Sequence, residues 1–267
     1  MLPQTDAAVS LRSRGSAAGE SSTKPNTDVC YRAGMSVSQL SASAQNYLKV
    51  IWALQEWTGE EASPSQIAAR AGVRLSTVSD AVRKLAEQGL VEHAPYGAIT
   101  LTDAGRLHAL AMVRRHRLIE SFLVQVLGYT WDQVHDEAET LEHAVSDFMV
   151  DRIDHHLGHP TRDPHGDPIP TPDGQIELPD AVVLSTVEPG ARVRVERISD
   201  DDPALLQHFA ERGLGVGSEL EIRAGAPYSE ALEVVLPDGA APLTLGRSAT
   251  DAVWVTAART SAPAAPR

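Results

Sequence analysis

Between Ser63 and Thr102 the sequence reads helix, glycine break, helix, hairpin, and that order leaves few folds open. Ser63 or Ser65 can cap a helix. Pro64 suits the first turn, where its missing N–H would be unpaired anyway, and Gly72 stops the helix. A second helix runs from Leu75 to Gly89, with Val78, Val82 and Leu85 facing inward at i, i+4 and i+7. Its outer face carries Ser76, Thr77, Ser79, Asp80, Arg83 and Lys84. Small hydroxyl residues permit close approach to base edges and phosphates, and Arg83 and Lys84 reach the phosphates. Leu90 to Thr102 then alternates around Pro95-Tyr96-Gly97, which predicts a hairpin. Helix-turn-helix followed by hairpin is a winged helix. The expected DNA-facing set is Ser65, Arg74, Ser76, Thr77, Ser79, Arg83, Lys84 and, at the wing tip, Tyr96.

Downstream, His135, Glu139, Glu142 and His143 fall within one arc of about 100° on a helix, with Leu141 and Val145 off that arc and free to pack. Two imidazoles and two carboxylates on one face are ligands for a divalent cation. His116 and Glu120, at i,i+4 on a helix from about Asp103 to Leu127, form a second such face, and two neighbouring helices can close around metal. His155, His156 and His159 instead suit a helix C-terminus, where the dipole favours imidazolium.

The net charge of −13 argues at first against a nucleic-acid partner, but its distribution does not. Residues 60–117 hold eight Lys/Arg against six Asp/Glu, whereas residues 131–190 hold fourteen acids against two bases. The acidity sits in the half that carries the ligands. The single cysteine, Cys30, excludes a disulfide framework and a Cys-type zinc site. No apolar run approaches membrane-spanning length and no secretory leader is evident, so a cytoplasmic protein with no membrane partner is expected.

Residues 1–38 are low in complexity and are expected to be a disordered tail. Ser41 caps a first helix in which Ala44, Tyr47, Leu48, Ile51, Trp52 and Leu54 recur with helical spacing. The winged helix is assigned to 39–106, a helical metal-binding and dimerisation domain to 107–160, a Pro-rich linker to 161–189, a small β-barrel to 190–256 and a tail to 257–267. Val145, Phe148, Met149, Ile153 and Leu157 form an apolar stripe suited to a two-fold dimer that would read a palindromic operator in double-stranded DNA.

Several blocks in this order resemble the diphtheria-toxin-repressor and manganese-transport-regulator family of metal-dependent repressors. They are Asn46-Tyr-Leu, Thr77-Val-Ser79, Arg115-His116-Arg117-Leu-Ile-Glu120, Val134-His135-Asp-Glu-Ala, Glu142-His143 and Pro164-His-Gly-Asp-Pro-Ile-Pro170, with Gly215 to Ile222 matching an SH3-like domain. The resemblance implies a mainly α fold with small β content: a winged helix-turn-helix, a helical metal and dimer domain, and an SH3-like β-barrel. It also implies two adjacent metal sites. One uses His116, Glu120, His135 and a carboxylate from the C-terminal domain, by position Asp202, with Asp200 and Asp201 as competitors. The other uses Glu139, Glu142, His143 and Asn46. Iron-type members carry cysteine at the Glu139 position. A carboxylate there favours Mn(II), with Fe(II), Zn(II) or Co(II) as alternatives in vitro.

The resulting expectation is a Mn(II)-activated repressor of metal-homeostasis genes, not an enzyme. The alternatives are an Fe(II)-dependent regulator of the same family, a winged-helix sensor of an organic ligand, and a metal-dependent hydrolase. The last lacks a His-Glu-x-x-His motif.

Overall fold

The computed structural model describes residues 37–57, 59, 61–93, 97–237 and 241–258. Of the expected tails, 1–36 and 259–267, and also Tyr96 at the wing tip, lie outside the described residues, whereas Ala257 ends the last strand and Ala258 N donates to Arg192 O at 2.9 Å. Residues 37 and 38 do not belong to a disordered tail. Val37 opens a short 3-10 turn, is buried, and its carbonyl accepts from Gln45 Nε2 at 2.7 Å.

Helix α1 (Ala42–Glu56) is capped by Ser41, whose side chain accepts from Ala44 N. Helix α2 (Pro64–Arg70) starts in a full capping box: Ser63 Oγ accepts from Gln66 N and the Gln66 side chain accepts from Ser63 N. Gly72 then adopts φ +64 and turns the chain into α3 (Leu75–Glu87). Val78, Val82 and Leu85 are buried, while Ser76, Thr77, Ser79, Arg83 and Lys84 are exposed, as the apolar spacing predicts. Strands β1 (Val91–His93) and β2 (Ile99–Leu101) pair antiparallel, with Val91 opposite Leu101. These elements close on Leu48, Ile51, Ile67, Val78 and Ile99 as one core.

Helix α4 (Asp103–Leu127) is the spine. Its first turn meets the wing so closely that a Cβ on Gly105 would lie 1.8 Å from Leu90 O. Its N-terminal half joins the winged-helix core through Ala109, Leu110 and Val113, and its C-terminal half joins a second core through Leu118, Ile119 and Leu123. Helices α5 (Val134–Leu141) and α6 (Asp147–His156) pack on that second half. The apolar stripe expected for a dimer is divided. Ile153 is buried in this core, whereas Phe148 and Met149 are 72% and 45% exposed.

The remaining elements are β3 (Val182–Val183), β4 (Arg192–Ile198), α7 (Pro203–Glu211), β5 (Glu219–Ala224), β6 (Leu232–Val235), β7 (Leu243–Leu245), α8 (Arg247–Asp251) and β8 (Val253–Ala257). The strands form one antiparallel sheet of order β3-β8-β4-β5-β6-β7 around Val195, Phe209, Leu220, Ile222 and Val234. Here the structure corrects the sequence reading: among the described residues no pairing joins β3 to β7, so the sheet is open rather than a closed barrel. The segment expected to be a Pro-rich linker is likewise packed. Asp163, His165, Asp167 and Ile169 are buried in it, and β3 is part of the sheet. No helix among the described residues is long and apolar enough to cross a membrane.

Candidate metal centre and nucleic-acid interface

One turn apart on α4, His116 and Glu120 face α5 with Nε2 and Oε1 3.1 Å apart. His135, in the first turn of α5, brings Nδ1 to 3.7 Å from the same Glu120 oxygen. The fourth group comes from the loop after β4: Asp200 Oδ2 lies 2.7 Å from His135 Nδ1, off the line of a hydrogen bond. His116, Glu120, His135 and Asp200 thus place one donor atom each within 4.8 Å of one another. Asp200 stands where the sequence reading put Asp202. Asp202 is the N-cap of α7, with its carboxylate accepting from Ala204 N and Leu205 N at 3.0 and 3.2 Å. The competitor Asp201 pairs with Arg70 on α2.

Of the second expected set, Glu139 and Glu142 bring donor atoms within 4.8 Å of one another, joined by His116; His143 and Asn46 are not part of that group. Glu142 ends α5 as its C-cap, buried, and His116 Nδ1 lies 2.6 Å from its Oε2. Its other oxygen and that of Glu139 receive Lys49 Nζ from α1, at 2.5 and 2.6 Å. His143 Nδ1 lies 2.7 Å from Gln45 Oε1 and donates there, and its Nε2 lies 3.5 Å from Glu142 Oε1. Asn46 Oδ1 is buried nearby on α1 without a hydrogen bond. Lys49 is not among the residues the sequence singled out.

A third cluster was missed: Glu120, Asp163 and His165 also bring donor atoms within 4.8 Å. His165 is fully buried, its Nε2 donates to Trp131 O at 2.7 Å, and its Nδ1 lies 3.9 Å from Glu120 Oε2. The signal was in plain view, since His165 lies between Asp163 and Asp167 in the segment read as a linker.

These residues fit a cation. Among the described residues Asn46 Oδ1, His143 Nε2 and His165 Nδ1 are buried without a hydrogen bond, and His135 Nδ1 faces only the Asp200 and Glu120 carboxylates. An unpartnered buried polar atom costs roughly 1–3 kcal/mol, so such a concentration in one region calls for a ligand. The donors are oxygen and nitrogen only. A cleft of about 580 Å³ reaches Asn46, His116, Glu120, His135, Glu139 and Asp200 from solvent.

Electrostatics hold the donor set together. Burial works to lower His116, but Glu120 and Glu142 raise it to about 9. Burial likewise opposes the raised value of His135, which Asp200 and Glu120 carry to about 11. Both rings are therefore cations at neutral pH and must lose a proton before either ring nitrogen beside the carboxylates can ligate. Metal binding is expected to release protons, and affinity to fall as pH falls, by up to roughly tenfold per unit for each proton displaced. Calorimetric titration in buffers of different ionisation enthalpy measures that release. Beside the cluster, buried Arg117 pairs with both Glu56 oxygens at 2.9 and 2.7 Å, and with Asp167 at 3.3 Å, fixing α1 to α4 and to the 163–168 segment.

Of the residues expected to face DNA, Ser65, Arg74, Ser76, Thr77, Ser79 and Lys84 are exposed on or beside α2 and α3. Arg83 is exposed too but pairs with Glu87 one turn on, at 2.8 Å. Ser79 Oγ donates to Leu75 O in its own helix at 3.1 Å.

A winged helix, a helical domain with His/carboxylate clusters and an appended small sheet define a class of metal-binding DNA regulators. Family comparison agrees along the chain: residues 39–99 match the iron dependent repressor N-terminal DNA-binding domain, 102–171 its metal-binding and dimerisation domain, and 182–257 the FeoA domain. The chain is 31% identical to the diphtheria toxin repressor of Corynebacterium efficiens over 199 residues, covering 70% of this chain and 85% of that protein. It is 37% identical to the iron-dependent repressor IdeR of Mycobacterium tuberculosis over 142 residues, 53% of this chain and 60% of that protein. Among solved structures, a manganese-dependent transcriptional repressor in complex with manganese is 52% identical with TM-score 0.76, covering 80% of this chain and all of that one. The manganese regulator SloR is 32% identical with TM-score 0.67, over 80% of this chain and 98% of that one. The chain belongs to the diphtheria toxin repressor family of metal-dependent regulators, whose named members are repressors and not hydrolases.

Proposed function

We propose that this protein is a Mn(II)-activated transcriptional repressor of metal-homeostasis genes, acting in the cytoplasm as a homodimer on a palindromic DNA operator. The observation that carries the choice of metal is the donor set. Carboxylates, imidazoles and an amide surround the cleft, with no thiolate or thioether among them. Hard oxygen donors suit Mn(II) better than softer ions. The similarity to a manganese-dependent repressor at 52% identity points the same way. The IdeR relatives favour a second reading, an Fe(II)-dependent regulator.

The proposed ligands are His116, Glu120, His135 and Asp200 at one site, with Asp163 and His165 beside it, and Asn46, Glu139, Glu142 and His143 at the other. Bound metal supplies positive charge that neutralises the converging carboxylates. This chain's residues convert that into position. Asn46 lies on α1 of the winged helix, Glu139 and Glu142 on α5, and Asp200 in the C-terminal sheet domain, so ligation sets these bodies against one another. The spacing of the two winged helices across a dimer is thereby fixed. Phe148 and Met149, exposed on α6, are proposed for the dimer face. Ser65, Arg74, Ser76, Thr77, Ser79, Arg83, Lys84 and Tyr96 are proposed for DNA.

Glu139→Cys replaces a hard donor by a soft one. It is expected to move the order of activation in operator-binding assays from Mn(II) toward Fe(II) or Co(II). An unchanged order would remove Glu139 from the selectivity argument.

A further inference from the structure

We infer that Lys49 is a built-in cation that holds the second site in the metal-free protein, and that metal enters this site only by displacing the Lys49 ammonium. The inference rests on the metal-site reading above and adds what this chain's own lysine does there.

The lysine is aimed at the centre of the site. Nζ sits 2.6 Å from Glu139 Oε1 and 2.5 Å from Glu142 Oε1, and its side chain is only 11% exposed. A buried ammonium between two carboxylates is a charge-assisted contact that cannot coexist with a dication bound to the same oxygens. The site nevertheless holds more donors than the lysine uses. Asn46 Oδ1, in the cleft that Lys49 and Glu139 also line, and His143 Nε2, 3.5 Å from Glu142 Oε1, are buried without a hydrogen bond, although an ammonium has three protons to give. The pocket is therefore shaped for a cation with more ligands than Lys49 has donors, and Lys49 fills it incompletely.

Two consequences follow. The α1–α5 link already exists without metal, as a Lys49 bridge, so loading this site exchanges one cross-link for another. The site with Asp200 has no lysine in it, so the cost of displacing Lys49 falls only on the step that loads the second site.

Titration of the metal-depleted full chain with Mn(II), followed by calorimetry and by the loss of free-ion magnetic resonance signal, tests this. Wild type is expected to bind in two steps. Lys49→Met keeps the apolar stem and removes the ammonium, and should tighten the step that loads the second site roughly tenfold or more. Lys49→Arg keeps a cation and should leave that step weak. A second readout needs no variant. The chain has only three lysines, Lys24, Lys49 and Lys84. Amine-reactive labelling of Lys49, referenced to exposed Lys84, should be slow without metal and rise when the second site loads. Loading of the second site unchanged or weakened in Lys49→Met, or labelling of Lys49 that does not respond to metal, overturns the inference. Wild type that binds no metal would instead overturn the underlying metal-site reading.

Discussion

A Glu120→Gln protein is expected to fold and to lose metal-dependent operator binding. Glu120 is 1% exposed, and its two oxygens face different groups. Oε1 lies 3.1 Å from His116 and 3.7 Å from His135, and Oε2 lies 3.9 Å from His165. It belongs to two of the three donor clusters. The amide keeps the volume but halves the acceptors and removes the charge. Losing an outer-shell partner already costs about 10–100-fold in metal affinity, so a shared ligand should cost more than that. At a metal concentration near 100 times Kd, binding stabilises the fold by about 2.7 kcal/mol, most of which a hundredfold loss would erase. Thermal unfolding with and without Mn(II) reads this directly. An undiminished metal-induced rise in Tm would take Glu120 out of the site.

Gly166→Ala should cost roughly 3 kcal/mol or more and break the site from a distance. Gly166 has φ +93, and a Cβ there would stand 2.1 Å from Glu196 O on strand β4. Glu196 sits at a bulge of β4, its carbonyl held by Arg162 rather than by strand pairing, and a clash of that size must shift it; alanine is strained at that φ in any case. The chain on either side is what holds the sheet domain to the helices. His165 O accepts from Ile198 N at 2.9 Å, Asp167 accepts from Arg197 Nε at 2.7 Å, and Arg162 donates to Glu196 O at 3.0 Å. Arg197 in turn lies over the rings of both Trp57 and Trp254. Asp200 follows two residues after Ile198, so lifting this segment carries Asp200 away from His135. The expected result is a Tm lower by several degrees, faster proteolytic release of the sheet domain and weaker Mn(II) binding together. A stable variant with wild-type metal affinity would show that the 163–168 segment does not position the site.

The parts of this fold that are legible in the sequence are those fixed by neighbours in the chain. Ser63, Pro64 and Gln66 specify the α2 start by themselves, and Val78, Val82 and Leu85 bury where their period puts them. His116 and Glu120 share a face because helical geometry makes them. Groups brought in from elsewhere were harder to read. Asp202 precedes Pro203 and so has the signature of a helix N-cap, which occupies its carboxylate and leaves Asp200 for His135. Asp163 and His165 are set between prolines and glycine, a composition that reads as linker. Only the fold reveals that they are buried beside Glu120. Lys49 looks like a surface residue of an amphipathic helix until α5 is laid across it. The open sheet could not be told from a closed barrel because its edge strand β3 has only two residues.

The proton balance of the site also sets the behaviour of the metal-free protein. His116 is raised above its unfolded value of 6.5 to about 9 by carboxylates that outweigh its burial. Its contribution to stability is complete below 6.5 and is lost as pH rises to about 9. Metal binding has the opposite pH dependence.

The most direct test of the account is operator binding by metal-depleted protein, titrated separately with Mn(II), anaerobic Fe(II) and Zn(II) at two salt concentrations. The account predicts no tight complex without metal, tight binding with micromolar Mn(II), and weakening at the higher salt as phosphate contacts are screened. Equally tight binding by the metal-depleted protein would contradict metal activation, and activation by Fe(II) but not Mn(II) at cellular concentrations would contradict the assigned metal.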